Sequence, residues 1–250
     1  MDRDVNDKVV AVTGSADGLG LAMLNSFLKH GAQLVICLDI NETQGNKSIA
    51  DLKQQYGDRA VFYKCNVLTD LDTVYNTIIK NHGKVDVLVN NAGVTDEKDI
   101  RKTIEINTIA LMEWSIKFYD HMRTDKGGSG GTIINVSSLF GYRIYPYIPY
   151  YHASKSAVIG FSKSLGHEVN FKSTGVRTVT LCPGLTRTKL TQAPNVREDD
   201  KLSEWLDSLG DLEWQDPEAV GEGTVEIFEK ADSGTVWLVE GSRPAEKLNI

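Results

Sequence analysis

Residues 8–20 read KVVAVTGSADGLG, in which a short apolar run passes directly into a glycine-rich turn. An amphipathic segment from Gly18 to His30 follows, and Gly31 behind it is typical of the end of a helix. The order strand, glycine turn, helix opens a unit that joins two parallel strands through a helix. The pattern of the remaining residues indicates that this unit repeats.

More apolar runs of strand length follow, separated by segments with helical patterning. The predicted strands lie at 33–38, 60–65, 85–89, 132–136, 176–182 and 235–239, and the predicted helices around 42–56, 71–80, 100–122, 150–172 and 217–230. Continuously apolar strands are typical of a parallel sheet that is covered on both faces. The sequence therefore predicts an α/β fold in which residues 1–250 form one domain. Its core is a single doubly wound, seven-stranded parallel sheet of the Rossmann type, with helices on both faces.

The composition argues against several classes of protein. Apolar residues make up 41% of the 250 residues, which is enough for one sizeable core. The net charge is −7 and no Lys/Arg cluster is present, so we expect neither a nucleic-acid partner nor a membrane partner. No apolar run approaches the ~18 residues of a membrane span. The charged N-terminus, MDRDVNDK, is unlike a secretion signal.

Three widely spaced cysteines, Cys37, Cys65 and Cys182, lie within predicted strands. Small buried thiols are typical of a reducing compartment, so we expect a cytoplasmic protein without a disulfide. Neither CxxC nor HExxH occurs in the sequence, and no metal site is predicted.

The residues that follow the first six predicted strands are polar, glycine or proline. These exits are the glycine turn, Asp39, Asn66, Asn91-Ala92-Gly93, Ser138 and Pro183-Gly184. Turn formation alone explains some of them, but it does not explain their presence at all six exits. Because the carboxyl ends of parallel strands meet at one edge of the sheet, the pattern predicts a ligand cleft at that edge.

The first two exits indicate the ligand. Glycines at a strand-to-helix turn let the backbone approach a pyrophosphate, and the start of the helix offers free N–H donors. Asp39 lies 19 residues beyond Gly20, where a carboxylate can accept both ribose hydroxyls of an adenosine. It would repel a 2′-phosphate, and the turn carries no Lys or Arg, so NAD is predicted over NADP. Capping of the next helix is the alternative role for Asp39.

A candidate reactive group lies at the start of the helix predicted over 150–172. Tyr151 and Lys155 are four residues apart and share one helix face, where an ammonium favours ionisation of the phenol. Ser138, at a strand exit, can hydrogen-bond a substrate oxygen. Asn107 interrupts an apolar helical segment, so it marks either a water site or a helix distortion.

Together these motifs resemble the short-chain dehydrogenase/reductase family over nearly the whole chain. The motifs are TGSADGLG at 13–20, NNAG at 90–93, Asn107, Ser138, YHASK at 151–155 and Pro183-Gly184. Within the family, segments 126–141 and 175–190 are similar to those of insect-type alcohol dehydrogenases and of NAD-dependent 15-hydroxyprostaglandin dehydrogenases.

The resemblance implies a role for each catalytic residue. Tyr151 would be the general acid/base, Lys155 would lower its pKa and bind the nicotinamide ribose, and Ser138 would polarise the substrate oxygen. Asn107 would hold a water that connects Lys155 to solvent. The implied cofactor site comprises Gly14, Asp17, Gly18, Leu19, Gly20, Asp39, Ile40, Cys65, Asn66, Val67, Asn91, Ala92, Gly93, Tyr151, Lys155, Pro183, Gly184, Leu185, Thr186 and Thr188.

The candidate substrate pocket is mostly apolar and aromatic. Its residues would be Leu139, Phe140, Tyr145, Tyr147, Ile148, Leu190, Trp205 and Leu209. Arg143 is the one charge nearby and Arg187 is expected to face the cofactor instead, so we expect an uncharged, largely apolar secondary alcohol or its ketone. Ile148 stands where the hydroxyprostaglandin enzymes carry Gln, which argues against prostaglandin oxidation. Residues 185–216 are predicted to form a lid.

The family's usual pairing through two long helices, here 100–122 and 150–172, implies a homodimer or a homotetramer. Two other functions remain open from the sequence. One is an NADP-dependent carbonyl reductase on the same scaffold, and the other is a catalytically silent, dinucleotide-binding regulator.

Overall fold

The computed structural model describes residues 3–192 and 195–250. Within these residues the strands are β1 Val9–Thr13, β2 Leu34–Asp39, β3 Ala60–Lys64, β4 Val87–Asn90, β5 Gly131–Val136, β6 Val176–Pro183, β7 Val236–Val239 and β8 Glu246–Leu248. The α-helices are α1 Gly18–Lys29, α2 Glu42–Tyr56, α3 Leu71–His82, α4 Ile100–Ile104, α5 Leu111–Met122, α6 Pro149–Leu165, α7 Glu168–Thr174, α8 Lys189–Gln192, α9 Leu202–Ser208 and α10 Pro217–Lys230.

The described strands form one sheet in the order β3-β2-β1-β4-β5-β6-β7-β8. Strands β1 to β7 pair in parallel, as the sequence predicts. The strand order reverses between β1 and β4, where Val10 pairs with Val87, and such a reversal opens a crevice at the carboxyl edge. The predicted α/β doubly wound fold is therefore confirmed.

The sheet has one strand more than predicted. Strand β8, Glu246–Leu248, pairs antiparallel with Val236–Leu238 of β7. Two of its three residues are charged and exposed, so no apolar run marks it in the sequence. It covers the edge of β7, which would otherwise present unpaired backbone groups.

Apolar side chains form a core on each face of the sheet. On one face α1 packs against α10, and the rings of Phe27 and Phe228 meet edge-on with centroids 6.1 Å apart. On the other face Ile78 of α3 and Trp114 and Phe118 of α5 are buried. No helix in the described part of the chain is long and apolar enough to cross a membrane.

Two predicted long helices are interrupted. A π-helical turn, Glu105–Ala110, separates α4 from α5, with Asn107 buried inside it. The helix predicted over 150–172 ends at Leu165, and α7 begins at Glu168. Gly166 lies between these two helices. The position requires glycine, because a Cβ there would be 2.6 Å from both the carbonyl oxygen of Thr178 and the amide nitrogen of Gly234.

Candidate active site

A cleft of about 400 Å³ opens at the carboxyl ends of the parallel strands. Of the residues predicted to bind the cofactor, all but Gly20 line it, and so do Ser138, Tyr151 and Lys155. Gly20 lies against the turn itself, since a Cβ there would be 2.5 Å from the carbonyl oxygen of Gly14. The structure thus brings together residues from six strand exits.

The glycine turn is braced by the segment that follows β4. Gly14 has a φ of +63°, and a Cβ on it would lie 2.7 Å from the Cα of Ala92. The side-chain amide of Asn91 donates to the carbonyl oxygens of Thr13 and Gly14, at 3.0 and 2.8 Å. The amide group of Asn91 therefore holds the turn in shape, while the residue also lines the cleft.

Asp39, the last residue of β2, holds the backbone on both sides of the β2 exit. Its Oδ2 accepts from the amide of Ala16 at 2.9 Å, and its Oδ1 accepts from the amide of Asn41 at 2.8 Å. Asn41, not Asp39, caps α2, because its side chain accepts from the amide of Gln44. The alternative capping role for Asp39 is therefore wrong. Ile40 beside it lines the cleft and is 62% exposed.

A basic residue that the sequence analysis did not select reaches the glycine turn. Lys189, at the start of α8, forms an ion pair with Asp17, whose carboxylate also accepts from the amide of Gly18. The hydrogen bond with Lys189 lowers the pKa of Asp17 below its usual value. Because both residues line the cleft, this pair joins α1 to the segment predicted as a lid.

Tyr151 and Lys155 lie in the first turns of α6, both buried and both facing the cleft. The ammonium of Lys155 lies 5.7 Å from the centroid of the Tyr151 ring and donates to the carbonyl oxygen of Val136 at 2.9 Å. The hydroxyl of Ser138 lies close enough to the Tyr151 phenol to lower its pKa, and it accepts from the amide of Phe140 at 3.1 Å.

Burial changes the proton affinity of both groups on α6. It raises the pKa of Tyr151 to about 12, although the hydrogen bond with Ser138 acts in the opposite direction. It lowers the pKa of Lys155 to about 8, because an apolar environment disfavours the ammonium form. In the protein alone burial therefore outweighs the lowering of the phenol pKa that the sequence analysis expects from Lys155.

Asn107 is fully buried and does not line the cleft. Its Oδ1 accepts from the amide of Val94 at 2.8 Å, and its Nδ2 donates to the carbonyl oxygen of Val94 and the hydroxyl of Ser154, at 2.9 and 3.0 Å. The structure shows the helix distortion, and the role of Asn107 in holding a water stays a prediction. The side-chain amide ties the segment after β4 to α6.

The far end of the cleft is apolar. Six of the eight candidate pocket residues line it, namely Leu139, Phe140, Ile148, Leu190, Trp205 and Leu209. Tyr145 and Tyr147 do not. Tyr145 packs on Phe140 with centroids 4.7 Å apart, and its hydroxyl bonds that of Ser208.

Arg143 and Arg187 are both paired with carboxylates. Arg143 makes a two-pronged ion pair with Glu240, at 2.7 and 2.9 Å, and Arg187 pairs with Asp216 at 3.2 Å. Neither guanidinium lines the cleft. The apolar end is therefore built, within the described residues, without a free basic group that would attract a carboxylate or a phosphate.

Glu97 is a further residue next to the site that no sequence motif indicates. This residue is completely buried, and its carboxylate accepts from the amides of Tyr150 and Tyr151, at 3.0 and 2.7 Å. In the sequence it stands in the charged run DEKD at 96–99, which has the composition of a solvated loop. No local signal distinguishes it from its charged neighbours.

Comparison with known proteins identifies the family. The model of the short chain dehydrogenase family matches residues 8–199. The chain belongs to this family.

Relatives within the family are similar over almost their whole length. The 15-hydroxyprostaglandin dehydrogenase (NAD(+)) of Homo sapiens is 33% identical over 251 residues, covering 96% of this chain and 93% of that protein. The same enzyme of Rattus norvegicus is 31% identical over 250 residues, with the same coverage. Alcohol dehydrogenase 1 of Ceratitis cosyra is 28% identical over 239 residues, covering 94% of this chain and 92% of that protein.

Solved structures agree with the fold. L-sorbose reductase from Gluconobacter frateurii, complexed with NADPH and L-sorbose, superposes with a TM-score of 0.79 at 25% identity, covering 96% of this chain and 98% of that chain. A 3-ketoacyl-(acyl-carrier-protein) reductase from Brucella melitensis, complexed with NADH, gives 0.81 at 23% identity and coverage of 95% and 98%. The chain is thus an oxidoreductase of this family with the family's fold.

Proposed function

We propose that this protein is an NAD-dependent oxidoreductase that interconverts an uncharged, largely apolar secondary alcohol and its ketone. The observation that carries the proposal is the placement of Ser138, Tyr151 and Lys155 in the same cleft as the glycine turn and Asp39. One end of that cleft has the residue types that bind a dinucleotide, and the other end is apolar.

The residues at the first end fit NAD. Gly14, with its positive φ, exposes backbone at the turn, and the carboxylate of Asp39 lines the cleft at the neighbouring exit. An acid in this place favours two ribose hydroxyls over a 2′-phosphate. The ammonium of Lys189 is paired with Asp17, and this carboxylate offsets part of the positive charge that would attract a 2′-phosphate.

When bound, NAD supplies the hydride acceptor and, in its oxidised form, a positive charge near the phenol. Tyr151 takes the proton of the alcohol hydroxyl, and Ser138 holds the substrate oxygen by a hydrogen bond. The positive charge of Lys155 favours the phenolate against the effect of burial. The buried positions of these groups exclude water and fix their relative geometry.

The apolar end indicates the substrate class. Ile148 and Trp205 present apolar surface, and the ion pairs of Arg143 and Arg187 leave neither free to bind an anion. This argues against a carboxylate-bearing prostaglandin, in spite of the name of the similar human and rat enzymes. A neutral alcohol with an apolar body fits the wall better.

The test measures turnover of a panel of aliphatic, terpenoid, steroid and prostanoid secondary alcohols through the absorbance of the NADH formed. We expect NAD-dependent oxidation of neutral members and weaker activity with carboxylate-bearing ones. Titration with both cofactors tests the choice of dinucleotide. Ten-fold tighter NADPH would favour the carbonyl reductase alternative, whereas NAD binding without turnover of any member would favour the silent regulator.

The proposal includes the assembly and the location of the protein. We propose a homodimer or homotetramer that pairs through residues 100–122 and 150–172, because Ile109 of the π-helical turn and Ile116 of α5 are 45% and 43% exposed. Residues 185–216, which include α8 and α9, would act as the substrate lid. Three buried free thiols agree with a cytoplasmic location. Sedimentation velocity measures the assembly directly.

A further inference from the structure

The carboxyl group of Glu97 is fully buried, which is costly unless its oxygens are hydrogen-bonded. Its oxygens accept from two backbone amides and not from a side chain of the described residues. Burial raises the pKa of Glu97, and the two amide bonds act in the opposite direction. A group kept in such a place has a specific task in the fold or in the site.

The two amides belong to the first turn of α6. The first N–H groups of a helix have no partner within the helix, and Pro149 at its start has none to offer. The carboxylate satisfies the amides of Tyr150 and Tyr151, at 3.0 and 2.7 Å. It thereby fixes the backbone from which the Tyr151 phenol projects towards Ser138.

The same loop contacts Asn195, which lies in the segment predicted as a lid. The amide of Glu97 donates to the carbonyl oxygen of Asn195 at 2.7 Å. The side chain of Asn195 donates to Asp96 at 2.6 Å, and Asp96 is also held by Lys102 at 3.0 Å. Residues 96–97 therefore touch both the catalytic turn and the predicted lid.

We infer that Glu97 is the positioning residue of Tyr151, joining the first turn of α6 to the segment around Asn195. This inference rests on the proposed function and deepens it. The carboxylate keeps the phenol beside Ser138, so its loss reduces turnover without removing any group that contacts cofactor or substrate.

The charge of Glu97 gives the inference a distinctive signature. A carboxylate at the start of α6 opposes the positive end of the helix dipole, which would otherwise stabilise a phenolate in the first turn. The titratable groups that act on Glu97 are Asp96 and Arg197, and those near the Tyr151 phenol are Lys155 and the Cys182 thiol, which burial keeps neutral. Removing the charge should therefore lower the pKa of Tyr151, and we expect this effect to exceed the rise that a loosened contact with Ser138 would cause.

The experiment compares Glu97→Gln with Asp99→Asn, a matched loss of one carboxylate in the same loop. Asp99 is exposed and caps α4 instead, accepting from the amide of Lys102 at 3.0 Å. We expect Glu97→Gln to lower kcat at least about ten-fold, with the Kd for NAD within about three-fold of wild type. Asp99→Asn should leave both unchanged.

A second readout needs no substrate. 3-Fluorotyrosine at position 151, followed by ¹⁹F NMR across pH, reports the ionisation of this phenol in both backgrounds. We expect a lower pKa in Glu97→Gln than in the parent protein. A drop in kcat without this shift, or equal losses in both variants, would overturn the inference. If the chain oxidised no alcohol, the titration would still decide the role of Glu97.

Glu97→Asp covers the case in which the Gln variant fails to fold. Aspartate keeps the charge but is one methylene shorter, so it reaches the two amides less well. We expect a smaller loss of kcat with an unchanged pKa of the fluorophenol. Wild-type kcat in this variant would contradict a positioning role.

Discussion

At the dinucleotide end of the cleft, Asp39 and Asn91 are held by backbone groups of neighbouring loops, whereas the substrate end is walled by side chains from distant segments. The first end is polar and its shape depends on glycines that allow close backbone approach. The second is apolar, and its walls come from Leu139, Phe140, Ile148, Leu190, Trp205 and Leu209. Local geometry therefore sets the cofactor end, and long-range packing sets the substrate end.

The largest effect should come from breaking the local geometry with Gly14→Ala. A Cβ there is strained by the φ of +63° and would lie 2.7 Å from the Cα of Ala92. We expect the Kd for NAD to rise at least about 100-fold, measured by calorimetry.

Gly127→Ala is the matched control. Gly127 also has a positive φ, of +90°, but a Cβ there would have no atom of the described residues within 4 Å. The Gly127→Ala variant should bind NAD with a Kd near that of wild type. Its free energy of unfolding should fall by at most about 1–2 kcal/mol. Equal weakening in both variants would mean that backbone strain, not close approach at the turn, controls binding.

Ser138→Ala tests the point where the two ends meet. Its hydrogen bond lowers the pKa of Tyr151, so its removal raises that pKa. The proposed oxidation needs the deprotonated phenol, and its rate rises with pH through this pKa. We therefore expect the rising limb of kcat/KM to move to higher pH and kcat to fall roughly 10- to 100-fold. If the rising limb stayed at the same pH, Ser138 would have no effect on the ionisation of the Tyr151 phenol.

Lys189→Met should have the smallest effect. Its ion pair with Asp17 joins the glycine turn to α8, but both side chains are largely exposed, and such pairs contribute at most about 1 kcal/mol. We expect a change of less than about five-fold in the Kd for NAD, shrinking further at high salt. A much larger, salt-independent loss would make Lys189 a direct cofactor ligand.

The same contrast between local and long-range contacts explains what the sequence could predict. The strands of the core are continuous apolar runs, and the exits that line the dinucleotide end follow them directly, so both are local signals. Strand β8 has no apolar run, and the π turn at Asn107 depends on contacts with Val94 and Ser154. Patterning within a short window cannot detect either.

Long-range contacts account for the remaining differences. Glu97 lies in a charged run, but the fold places its carboxylate at the start of a helix more than fifty residues later in the chain. Tyr145 has the composition of a pocket residue, yet its hydroxyl is used by Ser208 of α9. Which aromatic residues line the cleft depends on how residues 185–216 pack, and that is a property of the whole fold.

The most direct test of the proposed chemistry is hydride transfer in a single turnover by Tyr151→Phe, with Tyr150→Phe as its neighbour control. Tyr150 lies in the same helical turn but does not line the cleft. We expect Tyr151→Phe to bind NAD as wild type does and to transfer hydride at least about 100-fold more slowly. Tyr150→Phe should stay near the wild-type rate. A Tyr151→Phe protein that reduces NAD at the wild-type rate would contradict the role of Tyr151 as the general base.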